Sequence, residues 1–475
     1  MAGGTFLGLD IGSNQIKVAE MRRSGTQLQV SALGVGPTPQ EAYDKSEIVD
    51  AQMLGKAIKD LLKQSGISTR DVVSSVAGQS SVVVRVIEVP QMSQAELKET
   101  MQWEVERHVP FNSSEVVMDW ARIDRPEGYA EGQNMDVLLA VAQQSMIDRH
   151  IEMLGAAGLK PKHIDVEPLA ICRTLLDNNT AFNQQGHTVT IINIGASNTE
   201  IGIYRDKLLT FPRSLPLAGD NLTRAIAQGL GVDLDTAESY KREYGEVVLD
   251  QLGASTPDFG AAPAFGAPGF QDFSVPAANP FGAAVDPFAP PPAPTGSAAS
   301  PSGRMPFDFS TPGEAPPEPT GIPMDVPVSF EQPAAFEPPP PAQAYNLPAP
   351  AASGDPHRDA LKSQIFAAMA PVLAELAQEI RRSLDYYRGR TADGHIHEIM
   401  LVGGSAKLKN LAQFLEMELG VATRVVDSLP NVQVTAKSTA VQEAHDIAAL
   451  FPISIGLGAR DLIADPSAVK SKKKK

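Results

Sequence analysis

A single cysteine, Cys172, is found in 475 residues. No disulfide can therefore close within the chain, and a reducing compartment is expected. Its flanks, EPLAICRTLL, read as a buried helix, which gives the thiol a packing role. Positive charge is also short: 40 Lys and Arg against 56 Asp and Glu leave a formal charge of −16. That balance excludes the broad basic face that nucleic-acid binding needs. No run of 18 apolar residues occurs, so no membrane-spanning helix is expected. The opening MAGGTFLGLD lacks the pattern of a signal peptide, and the expected location is the cytoplasm.

Proline is not scarce but is confined. Residues 251–350 hold 25 of the 39 prolines and 10 of the 17 phenylalanines, with one basic residue, Arg304, and nine acids. Such a segment buries too little apolar surface to offset its ordering entropy and is expected to be disordered, a spacer or a string of weak Phe contacts (NPF, DPF). The remainder suits a two-lobed protein. The ending KSKKKK, 470–475, is either a solvated tail or a tether to anionic lipid, at about 1 kcal/mol per Lys near a membrane.

What is present is a repeated pattern. GLDIGSNQIKVAE (8–20) and INIGASNTEIGIY (192–204) each read as a strand, a carboxylate or carboxamide, Ile-Gly, small polar residues and a second strand. Glycine in such a turn lets backbone N–H groups approach an anion with no Cβ in the way. Gly12, Ser13 and Asn14, and Gly195, Ala196, Ser197 and Asn198, are therefore candidates to cradle a polyphosphate. Asp10 is placed to hold Mg2+ through water. Either hairpin alone also fits an ordinary turn; two matched copies are harder to read that way. A third piece, IMLVGGSAKLKNL (399–411), runs a strand through Gly403-Gly404 into a helix starting at Ser405. It fits a flat ligand beside a helix N-terminus, or simply a tight packing turn. Between these pieces strands and helices alternate twice, which reads as α/β with two related halves. One helix opens with a capping box, Ser93 and Glu96, and runs toward Pro110.

Two phosphate hairpins and a strand–Gly-Gly–helix resemble the actin-like ATPase superfamily. The fold this implies is two-lobed, a duplicated ribonuclease H-like α/β plan. The resemblance places Asp10 to Asn14, with Lys17, in the first phosphate motif and Asn193 to Thr199 in the second. It places Gly403, Gly404, Ser405 and Lys407 in the adenosine motif. DVEPLAICRTL (165–175) resembles the connecting motif, with Glu167 near the attacking water. AESYKR resembles a turn in which Glu238 and Lys241 touch ribose and base, although by themselves these two also fit a solvated i, i+3 pair. Asp10, Glu167 and Asn193 would carry the chemistry, with ATP and Mg2+ as cofactors. The whole set, from LGLDIGSNQIKVAE through HIDVEPLA, RSLPLAGDNLTRAIAQGLGVDLDTAESYKREYG and EIRRSLDYYRG to ISIGLGAR, is similar to the FtsA/PilM branch, on its type IV pilus side.

That resemblance implies a first lobe at 1–82, an inserted FtsA/PilM-type module at 83–160 and a connecting segment at 161–186. A second lobe at 187–250 would resume at 357–462 beyond the 251–356 insertion, with a basic tail at 463–475. It implies an ATP-binding scaffold at the inner face of an inner membrane. The scaffold would bind the N-terminal cytoplasmic peptide of a PilN-like membrane protein and link it to pilus motor components, with self-association also open. The expected peptide site is on the module, near Trp103. Asn193 stands where the superfamily usually has Asp, so binding is expected with slow or absent hydrolysis. A filament-forming cell-division ATPase of the FtsA kind is the alternative. A sugar kinase is third, and no carboxylate base facing a sugar pocket is evident for it.

Overall fold

Each half begins with a hairpin whose first strand is apolar on both faces, because each face is covered. The computed structural model describes residues 4–252 and 356–463, apart from 26, 45, 79–80, 110, 178, 392–393, 430–431 and 436–446. The Pro/Phe-rich insertion, except for its first two residues and its last, lies outside the described residues, as does the basic tail beyond Ile463.

The first lobe starts with Thr5–Ile11 (β1), Gln15–Ser24 (β2) and Gln27–Pro37 (β3). Two short strands, Tyr43–Asp44 (β4) and Glu47–Ile48 (β5), precede Ala51–Gln64 (α1) and Asp71–Val76 (β6). Next come Val82–Val89 (β7), Gln94–His108 (α2), Val116–Arg122 (β8), Met135–Gln143 (β9) and Gln144–Ala156 (α3). Lys160–Val166 (β10) and the short helix Glu167–Cys172 (α4) lead to the second lobe. That lobe contains Thr188–Ile194 (β11), Thr199–Arg205 (β12), Leu208–Leu215 (β13), Gly219–Leu230 (α5), Leu234–Tyr244 (α6) and Leu249–Leu252 (α7). It resumes with Pro356–Arg390 (α8), Glu398–Val402 (β14), Leu411–Leu419 (α9) and Thr423–Val425 (β15). Gln433–Val434 (β16) and Pro452–Ala459 (α10) return to the first lobe.

The two main sheets repeat one plan. In the first, β3, β2 and β1 are antiparallel, and β6 and β10 continue parallel to β1; β16 adds an edge beside β3. In the second, β13, β12 and β11 are antiparallel, and β14 and β15 continue parallel to β11. This is the duplicated actin-like ATPase fold that the resemblance implied, and the two related α/β halves expected from the matched hairpins.

Helix α1 starts where the Asp50 carboxylate accepts from the N–H groups of Gln52 and Met53. Its stripe Leu54, Ile58 and Leu61 packs under β1 with Met153 and Leu154 of α3. Burying each such side chain contributes about 1.5–3 kcal/mol. The α1–α3 crossing is close: a Cβ on Gly55 would lie 2.6 Å from the Ala156 methyl. So α3, grouped with the inserted module by sequence, packs on the first lobe. On the other face of β1, α10 comes closer still, and a Cβ on Gly8 would lie 1.8 Å from the Ser454 carbonyl. At the crossing of α10 and α4, a Cβ on Gly456 would meet the Ala170 carbonyl at 1.8 Å. These two helices link the lobes, and no residue with a side chain fits either contact.

The module is the sheet β7-β9-β8, with α2 on one face. Leu97, Met101 and Val105 of α2 pack on Ile87, Val89, Met135, Val137, Leu139 and Val141. The capping box is present, Ser93 and Glu96 bonding each other's backbone N–H. Helix α8 runs through Pro371 without a break. By length and composition alone it could cross a membrane, but Ile365, Met369, Leu373, Leu376, Ile380 and Leu384 lie in the second-lobe core. The two ends of the insertion meet at its base, where Gln251 Nε2 donates to Ser363 Oγ at 3.3 Å and Lys362 pairs with Glu246 at 3.2 Å.

Candidate functional site

The two repeated hairpins turn toward each other, and a cavity of about 460 Å3 opens around them, within the range of small-molecule sites. Every residue named from the sequence for ATP or Mg2+ lines it except Thr199. Thr199 is fully buried and its Oγ1 donates to the Leu217 carbonyl at 2.6 Å, so it braces the hairpin from behind.

In both hairpins the glycine N–H closes the turn: Gly12 donates to Gln15 and Gly195 to Asn198. The following amides, Ser13, Asn14, Ala196 and Ser197, make no backbone hydrogen bond among the described residues. Such a row is an anion-binding concavity. Lys17, paired in register with Asp10, folds over the first turn and contacts the Asp10 carboxylate at 3.2 Å. The hairpin tips touch: Ser13 Oγ and Ser197 Oγ are 2.6 Å apart, and Asn198 Nδ2 donates to Ser46 Oγ at 3.2 Å. A group inserted between the tips must part these contacts.

Gly403 has φ +95, and a Cβ there would lie 2.5 Å from both Asn193 Oδ1 and the Ile194 carbonyl. Only glycine brings β14 this close to the second hairpin. Ser405 Oγ then donates to the Gly195 carbonyl at 2.8 Å and would strike any side chain at Gly219. The Gly-Gly turn, the second hairpin and the start of α5 thus form one wall, with Lys407, Leu408 and Leu450 beyond it.

At the floor, Lys17 pairs with Asp10 and acts on Glu167, which is also close enough to Glu200 to feel its charge. Burial, then Asp10 and Glu200, pushes the Glu167 carboxyl well above the usual range, with Lys17 opposing. Burial raises Glu200 to about 7, against a hydrogen bond from Ser214. Tyr43 is pushed up by burial and then by Glu167 and Asp10. The site thus holds excess acid at low hydration, an environment that favours bound cations and retained protons.

Glu238 and Lys241 lie on this wall but are already engaged. Lys241 Nζ donates to Glu238 at 2.6 Å, to Thr223 Oγ1 at 2.8 Å and to the Gly219 carbonyl at 3.1 Å. Burial would raise Glu238, but hydrogen bonds from Lys241 and Thr223, with Arg242 adding, outweigh it and bring it to about 2.

Sequence reading missed Glu200, Asp220, Tyr43 and Ser46 on the cavity wall. Glu200 had a signal, since it stands directly across from Asn193 in the β11–β12 register. Ser46 had none; its φ of 67 and its contact to Asn198 depend on the tertiary fold.

Trp103 is 71% exposed on the face of α2 opposite its buried stripe. It therefore points away from the module sheet. The other face of that sheet carries Val86, Leu138 and Ala121 in one cross-strand row and Val82, Ala142 and Val117 in another. Leu138 packs toward the α4 core, so this face looks back at the body, and β8 leaves Val117 40% exposed at its end.

The family model described as Type IV pilus assembly protein PilM matches residues 8–247, and that of Cell division protein FtsA matches residues 190–445. Curated relatives include cell division protein FtsA of Bacillus subtilis, 24% identical over 52% of this chain and 59% of its own length. FtsA of Streptococcus pneumoniae is 25% identical over 51% and 56%. The chain thus spans little more than half the length of these relatives. Among solved structures, a PilM-PilN type IV pilus biogenesis complex matches at TM-score 0.66 and 24% identity, covering 96% of this chain and 98% of that one.

Proposed function

The chain belongs to the type IV pilus assembly protein PilM family, and from that premise we propose that it is an ATP-binding scaffold of a pilus-type platform at the cytoplasmic face of an inner membrane. The observation that carries this reading is the convergence of two glycine hairpins and a Gly-Gly turn on one cavity. The residues fit the cofactor. Four amides without backbone partners, beside Lys17, suit a polyphosphate, and Gly404, where a Cβ would meet only Leu450 at 3.7 Å, leaves a side-chain-free surface that suits a flat group. Among the described residues no three His, Cys, Asp or Glu stand close enough to hold a metal by themselves. Asp10 and Asn193 therefore suit a hydrated Mg2+ that arrives with the phosphates. When bound, the cation would neutralise phosphate charge. Asn193 would offer a hydrated cation a neutral acceptor without adding charge, so turnover is expected to be slow.

The partner reading is a PilN-like membrane protein whose N-terminal peptide binds along the module, with motor components linked through it. The resemblance to a PilM-PilN complex supports it, as does β8, an edge strand that exposes Val117, with Asp119 and Ala121 on the same face. An extended peptide gains affinity by backbone pairing at such an edge and selectivity from pockets. The site is thus assigned to the β8 side of the sheet; Trp103 lies on the other side. Titration of a PilN-type N-terminal peptide should give affinity weakened about tenfold in Val117→Asp and unchanged in Trp103→Ala. No binding to wild type, or full binding to Val117→Asp, would sink this site. The FtsA matches favour a second reading, filament formation, which ATP-dependent sedimentation would reveal.

A further inference from the structure

Two carboxylates on the cavity wall, Glu167 and Asp220, make no side-chain hydrogen bond among the described residues, and the neighbours of Asp220 explain what it is for. Lys241 has three ammonium hydrogens, and all three are used, on Glu238, Thr223 and Gly219. On Glu238, one oxygen takes Thr223 and Lys241 while the other takes Arg242 at 2.8 Å. The pair that resemblance would place on ribose and base is thus a tie between α6 and the start of α5. What the tie fixes is Asp220. The Asp220 N–H donates to the Ala196 carbonyl at 2.8 Å, so its position is set by the second phosphate hairpin. Its carboxylate lines the cavity and makes no hydrogen bond among the described residues.

Resting on the nucleotide reading above, we propose that Asp220 is the ribose-reading residue, accepting hydrogen bonds from the sugar hydroxyls, and that Glu238 and Lys241 position it. The placement identifies the sugar. Asp220 is bonded to the phosphate hairpin at Ala196, while Lys241, bonded to the neighbouring Gly219 carbonyl, leads along α6 to Gly245, where a Cβ would lie 3.0 Å from Leu408. The sugar is the part of a nucleotide between those ends, and vicinal hydroxyls are the donors it offers. The bland alternative is an acid serving the N-terminus of α5. A carboxyl in that role is normally pulled down, whereas burial raises this one, against Lys241.

The test is calorimetric titration of ATP, 2′-deoxyATP, 3′-deoxyATP and ITP, each with Mg2+, into the full chain and into Asp220→Ala and Asp220→Asn. A hydroxyl donating to a carboxylate discriminates by about tenfold or more. Wild type should therefore favour ATP over at least one deoxy analogue by that factor, with ITP close to ATP. Asp220→Ala should bind ATP and the deoxy analogues alike, and Asp220→Asn, which keeps an acceptor, should retain part of the preference. Melting curves confirm that both variants are folded. A deoxy preference that persists in folded Asp220→Ala overturns the assignment. Discrimination against ITP that disappears in that variant would instead place Asp220 at the base and overturn the sugar assignment. Failure of wild type to bind any triphosphate overturns the nucleotide reading itself, and the proposal with it.

Discussion

Glu200 is a residue whose burial in the site should weaken the fold, and the size of that effect follows from its proton affinity. Its carboxyl holds a proton to about 7, against 4.5 for an ordinary glutamate, because it is buried. The folded pKa is raised above the unfolded one. Stability is therefore fully present below 4.5 and is lost as pH rises through 7. At about 1.4 kcal/mol per pH unit the full loss is about 3 kcal/mol, reached near pH 8, with about 1 kcal/mol already lost at pH 5. Glu200→Gln keeps the shape and an acceptor for Ser214 but cannot ionise. Relative to wild type it should gain about 2–3 kcal/mol more at pH 8 than at pH 5. For a folded body of this size that corresponds to about 3–4 °C in melting temperature. Scanning calorimetry of both proteins at the two pH values is the assay. A Glu200→Gln effect equal at pH 5 and pH 8, or a variant less stable at pH 8, refutes the claim that a charge is buried here.

His150 makes the opposite case: burial lowers it to about 4 and Ser74 Oγ lies 2.8 Å from its Nε2. Its stability is present above 6.5 and lost as pH falls toward 4, about 2 kcal/mol by pH 5; His150→Phe should flatten that slope in denaturant unfolding, and an unchanged slope counts against it. Asn193→Asp should tighten Mg2+–ATP binding or raise hydrolysis, and no change in either would mean that Asn193 does not limit the site. Because Gln251 and Lys362 bring the ends of the insertion together, replacing 253–355 by a short Gly-Ser linker should shift melting by no more than about 2 °C. A large drop would mean that the folded body depends on the segment.

Much of this arrangement was legible in the sequence for an identifiable reason. Repetition carried the fold: two copies of strand–Ile-Gly–strand announce two sheets of one plan, and local glycine chemistry needs no tertiary information. Most of the residues read from the sequence that line the cavity, from Asp10 to Lys407, sit within or beside such turns, while Glu167, Glu238 and Lys241 stand on helices. Residues brought in from outside the motifs were not legible, because long-range packing places them. Ser46 reaches Asn198 across 152 positions, and Tyr43 arrives on a two-residue strand. The contacts of Lys241 were hidden for a related reason, since the Gly219 carbonyl and Thr223 that accept from it lie about twenty residues upstream. Trp103 shows the limit of periodicity: the stripe at Leu97, Met101 and Val105 fixes which side of α2 is buried, but not what lies beyond the sheet.

The central claim is that the cavity between the two hairpins takes ATP with Mg2+, and isothermal titration calorimetry tests it most directly. Wild type should bind Mg2+–ATP saturably with one site per chain. Gly403→Ala, which places a methyl about 2.5 Å from Asn193 Oδ1 and the Ile194 carbonyl, should lose most of that affinity while the first lobe stays folded by hydrogen exchange. Heat of binding absent from wild type at millimolar ATP, or undiminished in Gly403→Ala, would contradict the account.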